Sequence, residues 1–259
     1  MQESHTVEKF PRIRQATVSL LNAARKKNMI HSLVEIDIHE GRAHIRKLRA
    51  EKSTYVSVTG YLISTIAKVV ARNKRMHAYR NCKNQLILFN DVDVSTTIER
   101  KIADRVQVVP MIIRAADKKE ITEISQELKE EKEKPAELAS VHKSMRRLLL
   151  IPPIFRQWIF RWMDRAPHKM KKLAGTIMVT SVPTSGHGGM WGIPIGSHTL
   201  NVTIGGITKR PIKQKDEIVE RDFVCLTISA DHDIIDGAPL GRFVNQLKKA
   251  IESPLNHAN

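Results

Sequence analysis

The sequence is poor in cysteine, with only Cys82 and Cys225 among 259 residues. Two thiols so far apart can supply neither a disulfide framework nor a cysteine-based metal site, so we expect no metal. No run reaches the roughly 18 consecutive apolar residues of a membrane-spanning helix. The first twenty residues also lack the apolar core and small-residue cleavage site of a secretion signal. These absences predict a cytoplasmic protein.

No Gly/Ser-rich or Pro-rich linker divides the chain. A length of 259 residues with 41% hydrophobic content is enough to bury the core of one large domain. We therefore expect a single domain over residues 1–259.

Basic residues exceed acidic ones, and the formal net charge is +16. About half of this excess is local, because residues 142–172 contain nine Lys or Arg and one acid, Asp164. We find no zinc-finger spacing, aromatic RNA-binding signature or helix-turn-helix pattern, so we expect no nucleic-acid partner.

Hydrophobic periodicity predicts helices and strands in mixed order, without strict βαβ alternation. This mixture favours an α+β fold, a sheet layered with helices, over a doubly wound one. Helices are predicted over Arg12–Lys27, Gly60–Asn73, Lys118–Lys134 and Leu240–Ile251. Strands are predicted over Leu33–Ile38, Gln85–Phe89, Val92–Ile98, Val106–Ile113, Thr176–Thr180, Thr199–Ile204 and Phe223–Ser229.

A glycine-rich stretch, SGHGGMWGIPIG, lies between two of the predicted strands. It has neither the lysine of a phosphate-binding P-loop nor a GxGxxG pattern between a strand and a helix. We therefore exclude a nucleotide site there.

The sharpest local signal is SADHDIIDGAP, residues 229–239, where a strand is predicted to end at His232 and Asp236-Gly237 to introduce a helix. An isolated histidine at a strand end is more often a hydrogen-bonded structural residue than a catalytic one. The motif alone does not distinguish a structural from a catalytic role for His232, so we compare the rest of the sequence.

The motif resembles the HxxxDG signature shared by the catalytic domains of dihydrolipoamide acyltransferases, the acyltransferases of 2-oxoacid dehydrogenases, and by chloramphenicol acetyltransferases. The similarity continues through the last helix, and the run from IAKVVARN to ISQEL resembles the central region of that family. AGTIMVTSV followed by GMWGIPI is similar to its GTFTISNLGMFG segment. The resemblance implies a chloramphenicol acetyltransferase-like two-layer fold, with a mixed β-sheet and packed helices.

In this family an acyl thioester of coenzyme A is attacked by a thiol or hydroxyl acceptor. The resemblance assigns His232 as the general base, since imidazole titrates near neutral pH. Thr180 matches the hydroxyl residue that stabilises the oxyanion, and Ser181 remains an alternative because a one-residue slip would exchange the two. Asp233 stands where lipoyl-type enzymes usually have arginine, which leaves the acceptor open.

Three further positions have structural or substrate roles in the family. Asp236 matches an aspartate that pairs with an arginine of the N-terminal helix, either Arg14 or its near rival Arg12. Gly237 is structural in the motif and relaxes the backbone between strand and helix. His31 lies where members have a substrate-entry histidine.

The resemblance implies acyl-CoA as substrate and a homotrimer or higher assembly, with His232 facing Thr180 of the next subunit. The preferred function is acyl transfer to a dihydrolipoamide-like or carrier-bound thiol, with the lipoyl group supplied in trans because no lipoyl or subunit-binding domain is evident. Two alternatives stay open. One is a small-molecule O- or N-acetyltransferase, and the other is a non-catalytic scaffold at a membrane surface or on a partner.

Residues 142–172 are predicted to form an insertion relative to the family. Pro152-Pro153 suits a helix start, and an apolar helical face is predicted from Ile154, Phe155, Trp158, Ile159, Trp162 and Met163. Such a basic amphipathic helix can bind a membrane surface or an acidic partner through residues 147–165, or pack on the protein itself.

Overall fold

The computed structural model describes residues 5–10, 12–102, 105–134, 151–182, 188–214 and 216–253. Its helices are Arg12–Ala24 (α1), His39–Lys52 (α2), Val58–Arg72 (α3), Ile121–Glu133 (α4), Pro153–Asp164 (α5), Pro167–Ala174 (α6) and Gly237–Glu252 (α7). Its strands are Met29–Asp37 (β1), Tyr79–Arg80 (β2), Leu86–Ile87 (β3), Val94–Ile102 (β4), Arg105–Ile113 (β5), Ile177–Ser181 (β6), Leu200–Gln214 (β7) and Glu217–Asp231 (β8).

Six strands form one mixed sheet in the order β1-β8-β7-β6-β4-β5, while β2 and β3 form a separate small ribbon. Strand β6 runs parallel to both β4 and β7, and the remaining pairs are antiparallel. This arrangement of a mixed sheet with helices confirms the predicted α+β class.

One face of the sheet is apolar because alternate residues of each strand point to the same side. Val202, Ile228 and Val179 on that face are fully buried, and they pack with residues of α2, α3, α4 and α7 in one core. Helix α3 is the most deeply buried of these helices. Ser57 caps its N-terminus by accepting a hydrogen bond from the Gly60 amide at 2.9 Å, and the Tyr61 hydroxyl donates to the Ile251 carbonyl of α7 at 2.8 Å.

The opposite face of the sheet is polar at its centre. Asn201 and Thr203 of β7 lie on it beside their register partners Ser229 and Thr227 of β8, and all four are buried. Such polar groups need a cover that supplies close packing or hydrogen bonds.

The described part of the glycine-rich stretch, residues 188–196, provides this cover. The Gly206 amide donates a hydrogen bond to the Met190 carbonyl at 2.9 Å, and a Cβ added to Gly205 would lie 1.9 Å from that same oxygen. A Cβ on Gly192 would lie 3.1 Å from the Thr203 side chain. The glycines therefore serve close backbone packing against the sheet.

Strands β7 and β8 are much longer than predicted. After a bulge between Ile204 and Ile207 their register continues, and it passes the end of β1 from Lys209 opposite Asp222 to Gln214 opposite Glu217. Beyond the reach of β1 and β6, the two strands pair only with each other in the described residues. The result is a two-stranded arm that projects from the sheet.

The predicted apolar face of α5 is divided in the structure. Ile159 and Met163 are half-buried, whereas Phe155, Trp158 and Trp162 are exposed by 62%, 71% and 53%. The side chain of Ile154 lies outside the described residues. Hydrophobic periodicity groups all apolar residues on one face of the helix. It cannot show that the aromatic part of that face is exposed while Ile159 and Met163 are half-buried.

Candidate active site

His232 follows the last residue of β8 and begins the turn that leads into α7. Its amide donates a 2.7 Å hydrogen bond to the Asn28 carbonyl, which lies just before β1. The Ile234 and Ile235 amides both donate to the Asp231 carbonyl at 3.0 Å. The backbone around His232 is thus held from two sides, while its side chain is 46% exposed and can reach a substrate.

Asp236 is the nearest carboxylate to the imidazole. Its Oδ1 lies 3.5 Å from Nδ1 of His232, and its side chain is 82% exposed. A carboxylate at Nδ1 favours the tautomer with the proton on that nitrogen, which leaves the Nε2 lone pair available as a base.

The predicted partner of Asp236 is not beside it in the single chain. Arg14 is exposed on α1, and no ion pair joins it to Asp236 within the described residues. The side chain of its rival, Arg12, lies outside the described residues. The arginine pairing stays a prediction.

Gly237 is the first residue of α7. Its φ is not in the left-handed region, and a Cβ would meet nothing within 4 Å. Within the described part of a single chain, neither backbone conformation nor close packing requires glycine at this position.

Thr180 and Ser181 end β6, some distance from His232 in the same chain. Thr180 is half-buried, with its hydroxyl 3.4 Å from that of Thr203, whereas Ser181 is exposed. Thr203 pairs with Thr227, five residues before His232. Strand rise and strand spacing then separate Thr180 from His232 by on the order of 20 Å. One chain alone does not bring base and hydroxyl together.

His31 lies on β1, on the polar side of the sheet. Its Nδ1 is 2.8 Å from the hydroxyl of Ser229, its register partner in β8. The histidine is exposed although Ser229 is fully buried, so its ring can contact a molecule that lies along this face.

The sequence did not identify three residues that support the His232 turn, namely Lys27, Asn28 and Asp231. Lys27 Nζ lies 3.1 Å from Oδ2 of Asp231 and 2.8 Å from Asp164 at the end of α5. Asn28 Nδ2 donates to Asp233 at 2.9 Å. The sequence does place an acid, Asp231, at the end of an apolar strand, and an acid in that position needs a basic partner.

The pKa of Lys27 reflects the two carboxylates beside it, Asp164 and Asp231. Burial, the largest single influence, lowers the pKa of Lys27, but Asp164 and Asp231 together outweigh it and raise the pKa above its ordinary value of 10.5. The lysine is therefore held as a cation that neutralises Asp231, whose residue is only 4% exposed.

A cleft of about 1420 Å³ opens beside this support, lined by parts of α1, α4, α5, α6 and the sheet. Lys27 contributes to its wall, and so do Asp231 and Asp233, the two sequence neighbours of His232. No group of three or more His, Cys, Asp or Glu is placed to hold a metal ion in the described ranges. Over the same residues, no helix is long and apolar enough to cross a membrane.

The fold described above is that of the acyltransferase cores of 2-oxoacid dehydrogenase complexes. The cubic core of the pyruvate dehydrogenase multienzyme complex superimposes with a TM-score of 0.70 at 15% identity, covering 98% of this chain and 94% of that one. A probable dihydrolipoamide acetyltransferase from Listeria monocytogenes gives 0.68 at 19% identity, covering 99% and 98%.

Sequence relatives agree with the structural ones. The acetyltransferase component of the pyruvate dehydrogenase complex is 26% identical over 79% of this chain in Rickettsia prowazekii, and 22% over 96% in Staphylococcus epidermidis. The chain spans 42% and 52% of those two proteins.

The family model for the 2-oxoacid dehydrogenases acyltransferase (catalytic domain) matches residues 2–143 and 165–258, and the chain belongs to this family. The resemblance drawn from the HxxxDG motif is confirmed. The unmatched residues 144–164 lie inside the segment at about 142–172 that the sequence analysis set apart.

Proposed function

We propose that this protein transfers an acyl group between coenzyme A and a thiol acceptor, with His232 as the general base. The observation that carries the proposal is an accessible imidazole on a fixed backbone, in the HxxxDG motif of a chain that belongs to an acyltransferase family. Its relatives are named as dihydrolipoyllysine-residue acetyltransferases, which favours a dihydrolipoamide-like or carrier-bound thiol, with the lipoyl group supplied in trans.

The chemistry follows from the position of the ring. Nε2 of His232 takes the proton of the acceptor thiol as its sulfur attacks the acyl carbonyl carbon. A hydroxyl donor then stabilises the oxyanion of the tetrahedral intermediate, a role given to Thr180. When the bond to the coenzyme A sulfur breaks, the imidazolium returns the proton to that sulfur.

We further propose a homotrimer in which His232 of one subunit works with Thr180 of the next. The separation of the two residues within one chain supports this arrangement, since a hydroxyl about 20 Å away cannot act on the same carbonyl. The pyruvate dehydrogenase relative of known structure forms a cubic core, which favours a closed assembly here. We keep the cytoplasm as the proposed location.

The first experiment measures coenzyme A release from acetyl-CoA and longer acyl-CoAs with dihydrolipoamide, other thiols and small alcohols as acceptors. We expect turnover with dihydrolipoamide and loss of at least about 100-fold in His232→Ala. His39→Ala, a histidine change at the start of α2, serves as control. A preference for alcohols would instead identify a small-molecule acetyltransferase, and an inert wild type that fails to bind acyl-CoA would favour a scaffold.

Mixing inactive variants tests the shared site. If each site takes His232 from one subunit and Thr180 from its neighbour, trimers re-formed from equal amounts of His232→Ala and Thr180→Val regain about a quarter of wild-type activity. Sites built within one chain would regain none, and light scattering reports the subunit number directly.

A further inference from the structure

Helix α5 presents an unusual outer face, which we call the aromatic-basic face. It consists of Phe155, Trp158, Arg161, Trp162 and Arg165, all exposed. At 100° per residue these five positions span about 120° of the helix circumference. Large aromatic rings on an outer face are uncommon, because their burial stabilises a fold more than that of most other side chains.

The inner side of α5 is already occupied. Asp164 pairs with Lys27 at 2.8 Å, Ile159 and Met163 are half-buried, and Arg156 is 3% exposed. Packing on the protein therefore fixes the helix and leaves its aromatic residues exposed, with Trp158 and Trp162 in the wall of the cleft described above. The exposed rings are not an unfilled part of this chain's own core.

The aromatic-basic face also lies outside what the family has in common. All of α5 falls within residues 144–164, which the family model does not match, and only Arg165 of the face lies in the matched part. A contact needed by the common acyltransferase assembly would not depend on residues that the family model lacks. An added function explains the exposed aromatic residues better than a trimer contact does.

Basic side chains accompany these aromatic rings, while carboxylates such as Asp164 and Asp231 line the deeper part of the same cleft. Lys169 of α6 holds its ammonium 3.9 Å from the centre of the Trp162 ring, which extends the basic rim of the face. Within the described part of the chain, Arg161 and Arg165 have no carboxylate partner. The face therefore combines three cations with three exposed aromatic rings, which suits an occupant that is both anionic and apolar.

We propose that the aromatic-basic face docks on the surface of an anionic lipid bilayer. Tryptophan and phenylalanine enter the boundary between headgroups and acyl chains, while arginine and lysine contact lipid phosphates. An acidic protein groove fits less well, because a groove encloses much of a helix and the inner side of α5 is held by Lys27. A flat surface needs only the outer side.

Vesicle flotation of the full chain tests the proposal. We expect the protein to float with vesicles of phosphatidylcholine mixed with phosphatidylglycerol, and to stay behind with pure phosphatidylcholine. Arg161→Gln/Arg165→Gln is expected to weaken binding about 25-fold, at about fivefold for each arginine near an anionic surface. Trp158→Ala/Trp162→Ala is expected to weaken it by more than about tenfold. Binding should also fall as salt rises.

Matched controls separate this surface from general effects. Ile218→Ala is the control for the tryptophan variant, because it shortens an apolar side chain that is 79% exposed on the β7–β8 arm. Arg46→Glu/Lys213→Glu is the control for the arginine variant, because it changes more charge at sites outside α5. Both control variants should float like wild type. Failure of wild type to bind anionic vesicles overturns the proposal, as does equal binding by all variants. A changed subunit number in the tryptophan variant would identify a contact between copies instead. Coenzyme A release is measured separately on the wild-type protein, so a failure to bind vesicles and a failure of the proposed function are distinguishable results.

Discussion

The ammonium group of Lys27 lies 3.1 Å from Oδ2 of Asp231, the residue immediately before His232. The same ammonium contacts Asp164 at 2.8 Å, and the Lys27 side chain is only 12% exposed. One cation therefore joins the connection between α1 and β1 to the end of β8 and the end of α5. The position of the proposed base depends on a charge supplied from outside the motif.

Lys27→Met is expected to destabilise the fold by about 3 kcal/mol, because it leaves the carboxylate of Asp231 buried without a cation. Urea unfolding measures this loss, and a lower kcat at a similar KM would show that the His232 turn has moved as well. Lys26→Met, the same change at an exposed neighbour, should cost less than about 0.5 kcal/mol. If both variants unfold alike, Lys27 does not support the turn.

Thr180 and Ser181 can be distinguished by activity. If the Thr180 hydroxyl stabilises the oxyanion, Thr180→Val lowers kcat by about 100- to 1000-fold with little change in KM. Ser181→Ala should then remain near wild type. The reverse pattern would move the role to Ser181, and circular dichroism checks that both variants keep the fold.

Acid should destabilise the fold through two buried histidines. Burial lowers the pKa of His77 and of His198 from 6.5 to about 4. The unfolded chain takes up protons below pH 6.5 that the folded chain refuses until about pH 4. Stability is therefore constant with respect to these groups above pH 6.5 and declines as pH falls to about 4, by up to about 3 kcal/mol for each histidine.

A substitution at His77 isolates its share of this decline. Neither of its ring nitrogens has a hydrogen-bond partner in the described part of the structure, so leucine removes a proton site without breaking a bond. Urea unfolding between about pH 7.5 and 4.5 should show a shallower decline for His77→Leu. An unchanged slope would mean that His77 has the same pKa in the folded and the unfolded chain.

Gly205→Ala tests the cover of the sheet's polar face. The added Cβ would lie 1.9 Å from the Met190 carbonyl oxygen, so the glycine-rich stretch has to move. We expect a loss of more than about 2 kcal/mol, measured by thermal unfolding. Gly241→Ala, in α7 where a Cβ meets nothing within 4 Å, should stabilise by about 1 kcal/mol. Equal effects would show that the stretch is not packed as described.

Elements with clear periodicity were predicted well from the sequence. Helix α3, predicted over Gly60–Asn73, spans Val58–Arg72, and β5 differs from its predicted start by one residue. Both elements carry dense apolar or β-branched sequence. Helix α2 was missed because only Gly41 and Ile45 of its fourteen residues are buried, which gives no apolar stripe.

The outer halves of β7 and β8 were missed for a related reason. Sequences such as TKRPIKQ and EIVERD lie beyond the sheet and bury few side chains, so no hydrophobic alternation marks them. At the candidate site, the HxxxDG motif predicted His232 and Asp236, which lie 3.5 Å apart, whereas no sequence pattern indicated Lys27 or Asn28. They reach the motif across some 205 residues, a distance no local pattern encodes.

The β7–β8 arm has a consequence for how this chain behaves among its own copies. A long ribbon with two open edges is a template on which further strands can add, the first step of aggregation. Here the ribbon carries Lys209, Arg210 and Glu220 along its length, and Pro211 offers no amide proton for a new ladder. The arm can thus project into solvent at high concentration without recruiting a strand from another molecule.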